Sequence, residues 1–168
     1  KVQIGYFAGV VAGVLAIAGA PARAADAGDV AEGMRIFQQK ANCQACHGWA
    51  GDGRKTDNQM PDGPSLRETQ FDRDYLVMTV KCGRPGSGMP AFDKFAYSDG
   101  RCNGIKQAEL TSRGLTLADP PATLQPREIE MLADFLFAKV IGKGALTRAA
   151  CVDLAGGEAE PCRELKSP

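Results

Sequence analysis

Apolar residues recur at helical spacing in three stretches of the chain, and each stretch is bounded by residues that start or stop helices. Over Val30–Lys40, Gly33, Ile36 and Phe37 share one face with Met34 at its edge, and Asp29 stands where a cap is needed. Phe71–Lys81 repeats the pattern, with Asp72 as cap and Tyr75, Leu76, Met78 and Thr79 as the packing face; Gly83 ends it. The third stretch is the longest. Pro126 and Glu128 mark a helix start, and Ile129, Leu132, Ala133, Leu136 and Val140 recur up to about Ile141, flanked by Phe135 and Phe137 and stopped by Gly142.

Between these stretches the chain is punctuated by glycine and charge. Gly48–Gly63 carries Asp52, Arg54, Lys55, Asp57 and Asp62 around a single aromatic, Trp49, and reads as a surface loop. A long insertion runs from Asp93 to Pro121. Its aromatics Phe95 and Tyr97, with Phe92, are expected to cluster as a lid over a small core of the insertion's own. Residues 144–168 read as a Gly/Ala/Glu-rich surface tail, and no internal repeat is present.

The first 24 residues stand apart. Val2–Ala20 is apolar and Ala/Gly-rich, follows Lys1, and leads into Pro21-Ala22-Arg23-Ala24, an A-x-A cleavage pattern. This reads as a secretory signal peptide over 1–24, with the mature chain beginning near Ala25. The rival reading is an uncleaved membrane anchor, with Gly5, Gly9 and Gly13 as a small-residue stripe for helix packing. Both readings deliver the remainder outside the cytoplasm, to the periplasm.

Composition narrows the function. A chain of 168 residues with formal net charge +0 has no basic excess to suggest a nucleic-acid partner or a polybasic membrane surface. Six cysteines are many for a cytosolic protein of this size. Cys82, Cys102, Cys151 and Cys162 form an even set suited to disulfides. Cys82–Cys102 with Cys151–Cys162 is one of three connectivities, favoured by proximity. A Cys82–Cys102 bridge would bracket the loop at Met89 and stabilise by about 3 kcal/mol on the loop-entropy model.

The other two cysteines carry the chemistry. Cys43-Gln44-Ala45-Cys46-His47 is the C-x-x-C-H signature of covalent c-type haem attachment, in which two thiols add to the vinyl groups of one porphyrin edge and the next residue aims its imidazole at the iron. A thioredoxin-like pair wants a strand before the motif and a long helix after it. Here a helical pattern precedes it and Gly48, Gly51 and Gly53 follow. Half a zinc site would need more ligands, and His47 is the only histidine.

Several segments together resemble class I cytochromes c: Gly33-x-x-Ile36-Phe37 ahead of C-x-x-C-H, then Gly63-Pro64-Ser65-Leu66, then Gly88-Met89-Pro90-Ala91-Phe92, then the terminal helix. The interval from Gly33 to Cys43 is longer than in the compact members. The resemblance covers roughly residues 29–141. It implies an all-α fold of three to five helices around one covalently attached haem c, over a domain of residues 25–143. In that fold Gly33 and Phe37 pack where the first and last helices cross, the Pro64 carbonyl accepts from the haem-ligating histidine, and Leu66 packs on the haem.

A second histidine is unavailable as sixth ligand, so methionine is expected there. Met34, Met78 and Met131 fall on helices, which leaves Met60, close after His47, and Met89, in a glycine-rich loop far enough downstream to cross the opposite face. Met89 is the better candidate, and the string GMPAF resembles the distal loop of bacterial class I cytochromes. The implied function is single-electron transfer between redox protein partners, such as a periplasmic dehydrogenase and a terminal oxidase, with no catalysis of its own. The alternatives are a dedicated cytochrome subunit of a periplasmic oxidoreductase, such as a quinoprotein dehydrogenase or sulfur-oxidising complex, and a haem peroxidase or gas sensor with an open iron. Arg54, Lys55, Arg67, Arg84 and Lys94 are expected to rim the haem edge, where they would steer an acidic partner.

Overall fold

The computed structural model describes residues 26–55 and 57–165, so the signal-peptide and anchor readings of residues 1–24 lie outside the described residues. Among these residues the architecture is all-α, with one isolated bridge between Cys102 and Ile105. The elements in order are α1 (Ala27–Arg35), a π-helical segment (Ile36–Lys40), α2 (Gln44–His47), α3 (Arg73–Cys82), α4 (Gln107–Ser112), α5 (Pro126–Lys139), α6 (Arg148–Ala155) and α7 (Glu160–Arg163). Helix α4 forms within the insertion, and α6 and α7 within the stretch expected to be tail.

The frame is the crossing of α1 with α5. Gly33 permits it: a Cβ there would sit 2.0 Å from the Met131 carbonyl oxygen, so any side chain would force the helices apart. Phe37 and Phe135 fill the next layer, with ring centroids 5.6 Å apart. Around them Ile36, Leu76, Val80, Ile129, Leu132, Leu136 and Val140 close the main core. Helix α1 is capped by Asp26, whose carboxylate accepts from Gly28 N at 2.7 Å, rather than by Asp29. The helix begins earlier than its apolar pattern does, which leaves Asp29 in the first turn to pair with Arg127 of α5.

The extra length between Gly33 and Cys43 is absorbed by the π segment. Its wider turn is visible in the Ala41 N–H donating to the Ile36 carbonyl at 2.9 Å and the Cys43 N–H to the Phe37 carbonyl at 2.8 Å. Asn42 then turns the chain at φ 48°.

The face expected for helix α3 is buried only in part: Leu76 is buried and Thr79 half-buried as expected. Leu76, Val80 and Cys82 point inward, whereas Tyr75 and Met78 are exposed. A short helical repeat fits two phases. Arg73, which ion-pairs with Glu130 and Asp134 of α5, selects the phase that places Leu76 and Val80 against that helix.

The expected aromatic lid is also dispersed. Phe92 belongs to the main core, Tyr97 to the insertion's small core with Cys82, Ala96, Cys102 and Leu110, and Phe95 lies exposed beneath Lys94 and Arg101. Lys94 Nζ at 5.3 Å and Arg101 Cζ at 5.4 Å from its centroid give the exposed ring cationic partners. The disulfides are Cys82–Cys102 and Cys151–Cys162. The second joins α6 to α7, and this stretch is docked rather than loose on the surface: Leu154 is buried in the main core, and Lys139 pairs with Asp153 at 2.8 Å.

Candidate functional site

Cys43, Cys46 and His47 sit on one short turn. Asn42 redirects the chain out of the π segment, and His47 N–H closes α2 by donating to the Cys43 carbonyl at 2.9 Å. Gln44 braces the turn from outside, donating through Nε2 to the Gln38 carbonyl at 2.8 Å. Gly48 ends it at φ 80°. The two thiols are free, not joined to each other.

The chain then folds back beneath the histidine. Gly53 N–H donates to the His47 carbonyl at 2.7 Å, and Gly63 N–H to the Cys46 carbonyl at 3.0 Å. Gly63 lies flat against the imidazole, since a Cβ there would come within 2.7 Å of His47 Nδ1. The next residue supplies the acceptor: His47 Nδ1 and the Pro64 carbonyl oxygen are 2.9 Å apart. A carbonyl can only accept, so the proton resides on Nδ1 and Nε2 keeps its lone pair. Leu66 is buried in the main core, and its N–H donates to the Gly51 carbonyl at 2.7 Å. Gly51 itself is buried against Val140, so the expected surface loop is instead partly a wall of the core.

Burial sets the protonation states. It lowers the His47 pKa; the Pro64 bond opposes this, and the positive charge of Arg84 reinforces it. Burial therefore favours the neutral imidazole. Burial also pushes the Cys43 thiol up to about 12, and raises Cys46 against the pull of Lys55. A disulfide-exchange pair needs a depressed thiol pKa, so these cysteines are poor candidates for thioredoxin-like chemistry. Among the described residues, no three His, Cys, Asp or Glu side chains converge as a zinc site would require.

Met89 is half-buried in the loop that follows α3. The loop is closed at its base, where Gly83 meets Pro90 so tightly that a Cβ would lie 2.5 Å from the Pro90 carbonyl carbon, and Arg84 N–H donates to the Met89 carbonyl at 3.0 Å. Its tip touches the segment leading to Pro64: a Cβ on Gly88 would meet Pro61 Cγ at 2.4 Å. Met60, one residue before Pro61, is therefore beside the same loop and is exposed. Arg84, whose charge is felt at His47, has no carboxylate partner among the described residues and donates to Tyr75 Oη at 3.2 Å. The Gly88–Pro61 contact thus sets the Met89 loop beside the segment that leads to Pro64.

The residues present fit a haem. An imidazole held through Nδ1 with Nε2 free and two unpaired thiols on the same turn make the donor set that covalent haem attachment needs. Residues 28–107 match the family model described as cytochrome c oxidase, cbb3-type, subunit III. Over these residues the chain carries a c-type cytochrome domain. Such a domain implies haem c and electron transfer. The match includes C-x-x-C-H, Gly63–Leu66 and Met89, and ends before α5. No curated protein and no solved structure matches the chain.

Two residues of this cytochrome domain escaped the sequence pattern. Arg67, expected on the rim, is 2% exposed; its guanidinium donates to the Gly144 carbonyl at 2.8 Å and the Lys139 carbonyl at 3.3 Å. Its only signal is its place just after Leu66. Arg54 and Lys55 are paired with Asp52 and Asp62 and Arg67 is buried on carbonyls, so of the five expected rim cations only Arg84 and Lys94 are exposed without a carboxylate partner among the described residues. Gly63 stood inside a recognised motif, but its packing on the imidazole has no sequence signature.

Proposed function

We propose that residues 25–143 form a monohaem class I cytochrome c domain, attached through Cys43 and Cys46 and ligated by His47 and Met89, that passes single electrons between proteins in the periplasm. The observation that carries this reading is His47, held through Nδ1 by the Pro64 carbonyl at 2.9 Å beside two unpaired thiols. Haem bound there would supply a one-electron iron couple. The chain's own contribution is positional. Pro64 and Gly63 fix the imidazole plane, Leu66 ties that loop to the core, and the Met89 loop brings a thioether from the other side. Two ligands retained in both oxidation states would leave no open site for substrate, so the domain would carry electrons rather than catalyse.

A second reading makes the chain a dedicated electron-transfer subunit of a larger oxidoreductase. The family-model match, the helical insertion and the docked C-terminal segment favour it. The deciding experiment is the visible and near-infrared spectrum of the purified holoprotein. A low-spin ferric form with the weak near-infrared methionine band supports the carrier; a high-spin form points to an open iron and to peroxide or gas chemistry. Haem retained after denaturing electrophoresis tests the thioether bonds. Isolation of the native protein with an oxidoreductase favours the subunit reading, whereas a lone monomer counts against it.

A further inference from the structure

The insertion between the Met89 loop and α5 grips that loop at its base and at its middle, and holds it from outside the main core. Cys82, the last residue of α3, is disulfide-bonded to Cys102 of the insertion. The Tyr97 hydroxyl, buried, donates to the carbonyl of the same Cys82 at 2.7 Å. Further along, Gly86 N–H donates to the Thr116 carbonyl at 2.7 Å. These attachments rest on a small core of Ala96, Tyr97, Cys102 and Leu110 that is separate from the main one. We propose that residues 93–117 are a clamp on the Met89 loop, and that Cys102 and Tyr97 are positioning residues for the distal ligand.

The argument rests on the reading of Met89 as ligand and adds to it. A loop of small residues closed only at its base would have many arrangements in which the sulfur lies away from its mate, and each would admit a competing ligand. Cross-linking Cys82 to Cys102 removes most of these, and the Tyr97 bond fixes the peptide from which the loop departs. The Cys151–Cys162 disulfide offers an internal control, because it joins α6 to α7, whose Leu154 packs in the main core and which contribute no residue to the insertion's small core.

The test uses the haem-loaded full chain with imidazole as probe of the sixth position. Wild type, Cys82→Ala/Cys102→Ala, Tyr97→Phe and Cys151→Ala/Cys162→Ala are titrated in the ferric state while the near-infrared methionine band and thermal stability are followed. Tyr97→Phe should raise imidazole affinity about fivefold, the equivalent of one lost buried hydrogen bond. Cys82→Ala/Cys102→Ala should raise it on the order of tenfold to a hundredfold. The control pair should lower stability with imidazole affinity unchanged. The clamp is overturned if Tyr97→Phe binds imidazole as wild type does, or if the control pair shifts it as far as the variants at the clamp do. Tyr97→Phe keeps the disulfide and the small core, so it decides the matter even where the double variant fails to fold. A wild-type spectrum without the methionine band would sink the ligand assignment itself, which is a different result.

Discussion

Residues 43–67 hold His47 almost entirely with main chain, through the Pro64 carbonyl, the Gly53 and Gly63 amides and glycines that admit no Cβ, whereas residues 83–117 hold the Met89 loop with a disulfide, a tyrosine hydroxyl and a separate small core. The first wall is part of the main core: Ala50 and Leu66 are buried in it, and Gly51 meets Val140. The second is fastened to that core chiefly through α3 and Phe92. Close-packed backbone has little room to relax, so its failures should be steep and should spread to the fold. A loop fastened by a few side chains can loosen alone, so its failures should be graded and confined to the ligand.

The sharpest contrast comes from one substitution in each wall. Gly63→Ala would drive a methyl to 2.7 Å from His47 Nδ1, where neither the ring nor the Cys46 carbonyl can yield. It should destabilise by about 3 kcal/mol and reduce haem loading, measured by thermal denaturation and by haem per protein. Gly114→Ala is the reference, since it meets nothing within 4 Å and suffers only its positive φ of 67°. Met89→Ala should instead leave the fold within about 1 kcal/mol of wild type while abolishing the methionine band, lowering the potential and admitting carbon monoxide or imidazole. A Met89→Ala protein with unaltered spectrum and potential would transfer the ligand role to Met60, which the Pro61–Gly88 contact keeps within the same neighbourhood.

Arg67 extends the comparison into the interior. Its guanidinium joins the His47 wall to the end of α5 and to Gly144, where the C-terminal segment departs. Arg67→Met should cost about 2 kcal/mol by leaving those carbonyls unpaired, and Arg67→Lys should not restore it, because a point charge cannot span two divergent acceptors. Denaturant midpoints of the three proteins check this. A lysine variant as stable as wild type would mean that charge near the α5 terminus matters rather than the fork.

What the sequence made legible follows the same division. The C-x-x-C-H turn, the Gly63–Leu66 segment and the α1–α5 crossing were readable because each depends on residues whose chemistry or size is itself the constraint: a thiol, an imidazole, a missing Cβ at Gly33. The buried face of α3 was legible at Leu76 but not at Tyr75 and Met78, whose apolar bulk suits either phase of so short a helix, and only the partner helix chooses between the phases. The burial of Arg67 was invisible for a related reason, since its acceptors are carbonyls more than seventy residues away, and carbonyls carry no sequence label. Helix α4 and the docking of Leu154 likewise depend on tertiary partners rather than on local periodicity.

Charge separates the two walls once more, and predicts the smallest effect. Around His47 the cations are spent on neighbours, Arg54 on Asp52 and Lys55 on Asp62, while beside the Met89 loop Arg84 and Lys94 are exposed without carboxylate partners among the described residues. Paired charges present little field to an approaching protein, whereas free ones attract an acidic surface over about one Debye length, roughly 10 Å at 0.1 M salt. Arg84→Glu/Lys94→Glu should therefore slow reduction by an acidic donor several-fold, about threefold or more, at low ionic strength, and the difference should fade as salt rises. Arg54→Glu/Lys55→Glu should change the rate less than this, since it removes cations whose charge is already balanced. Stopped-flow reduction at two ionic strengths distinguishes the cases. Equal slowing by both pairs would mean that the whole surface steers the partner, and equal indifference would mean that docking on the Met89 side relies on apolar contact, with the exposed Phe95 as the first residue to replace.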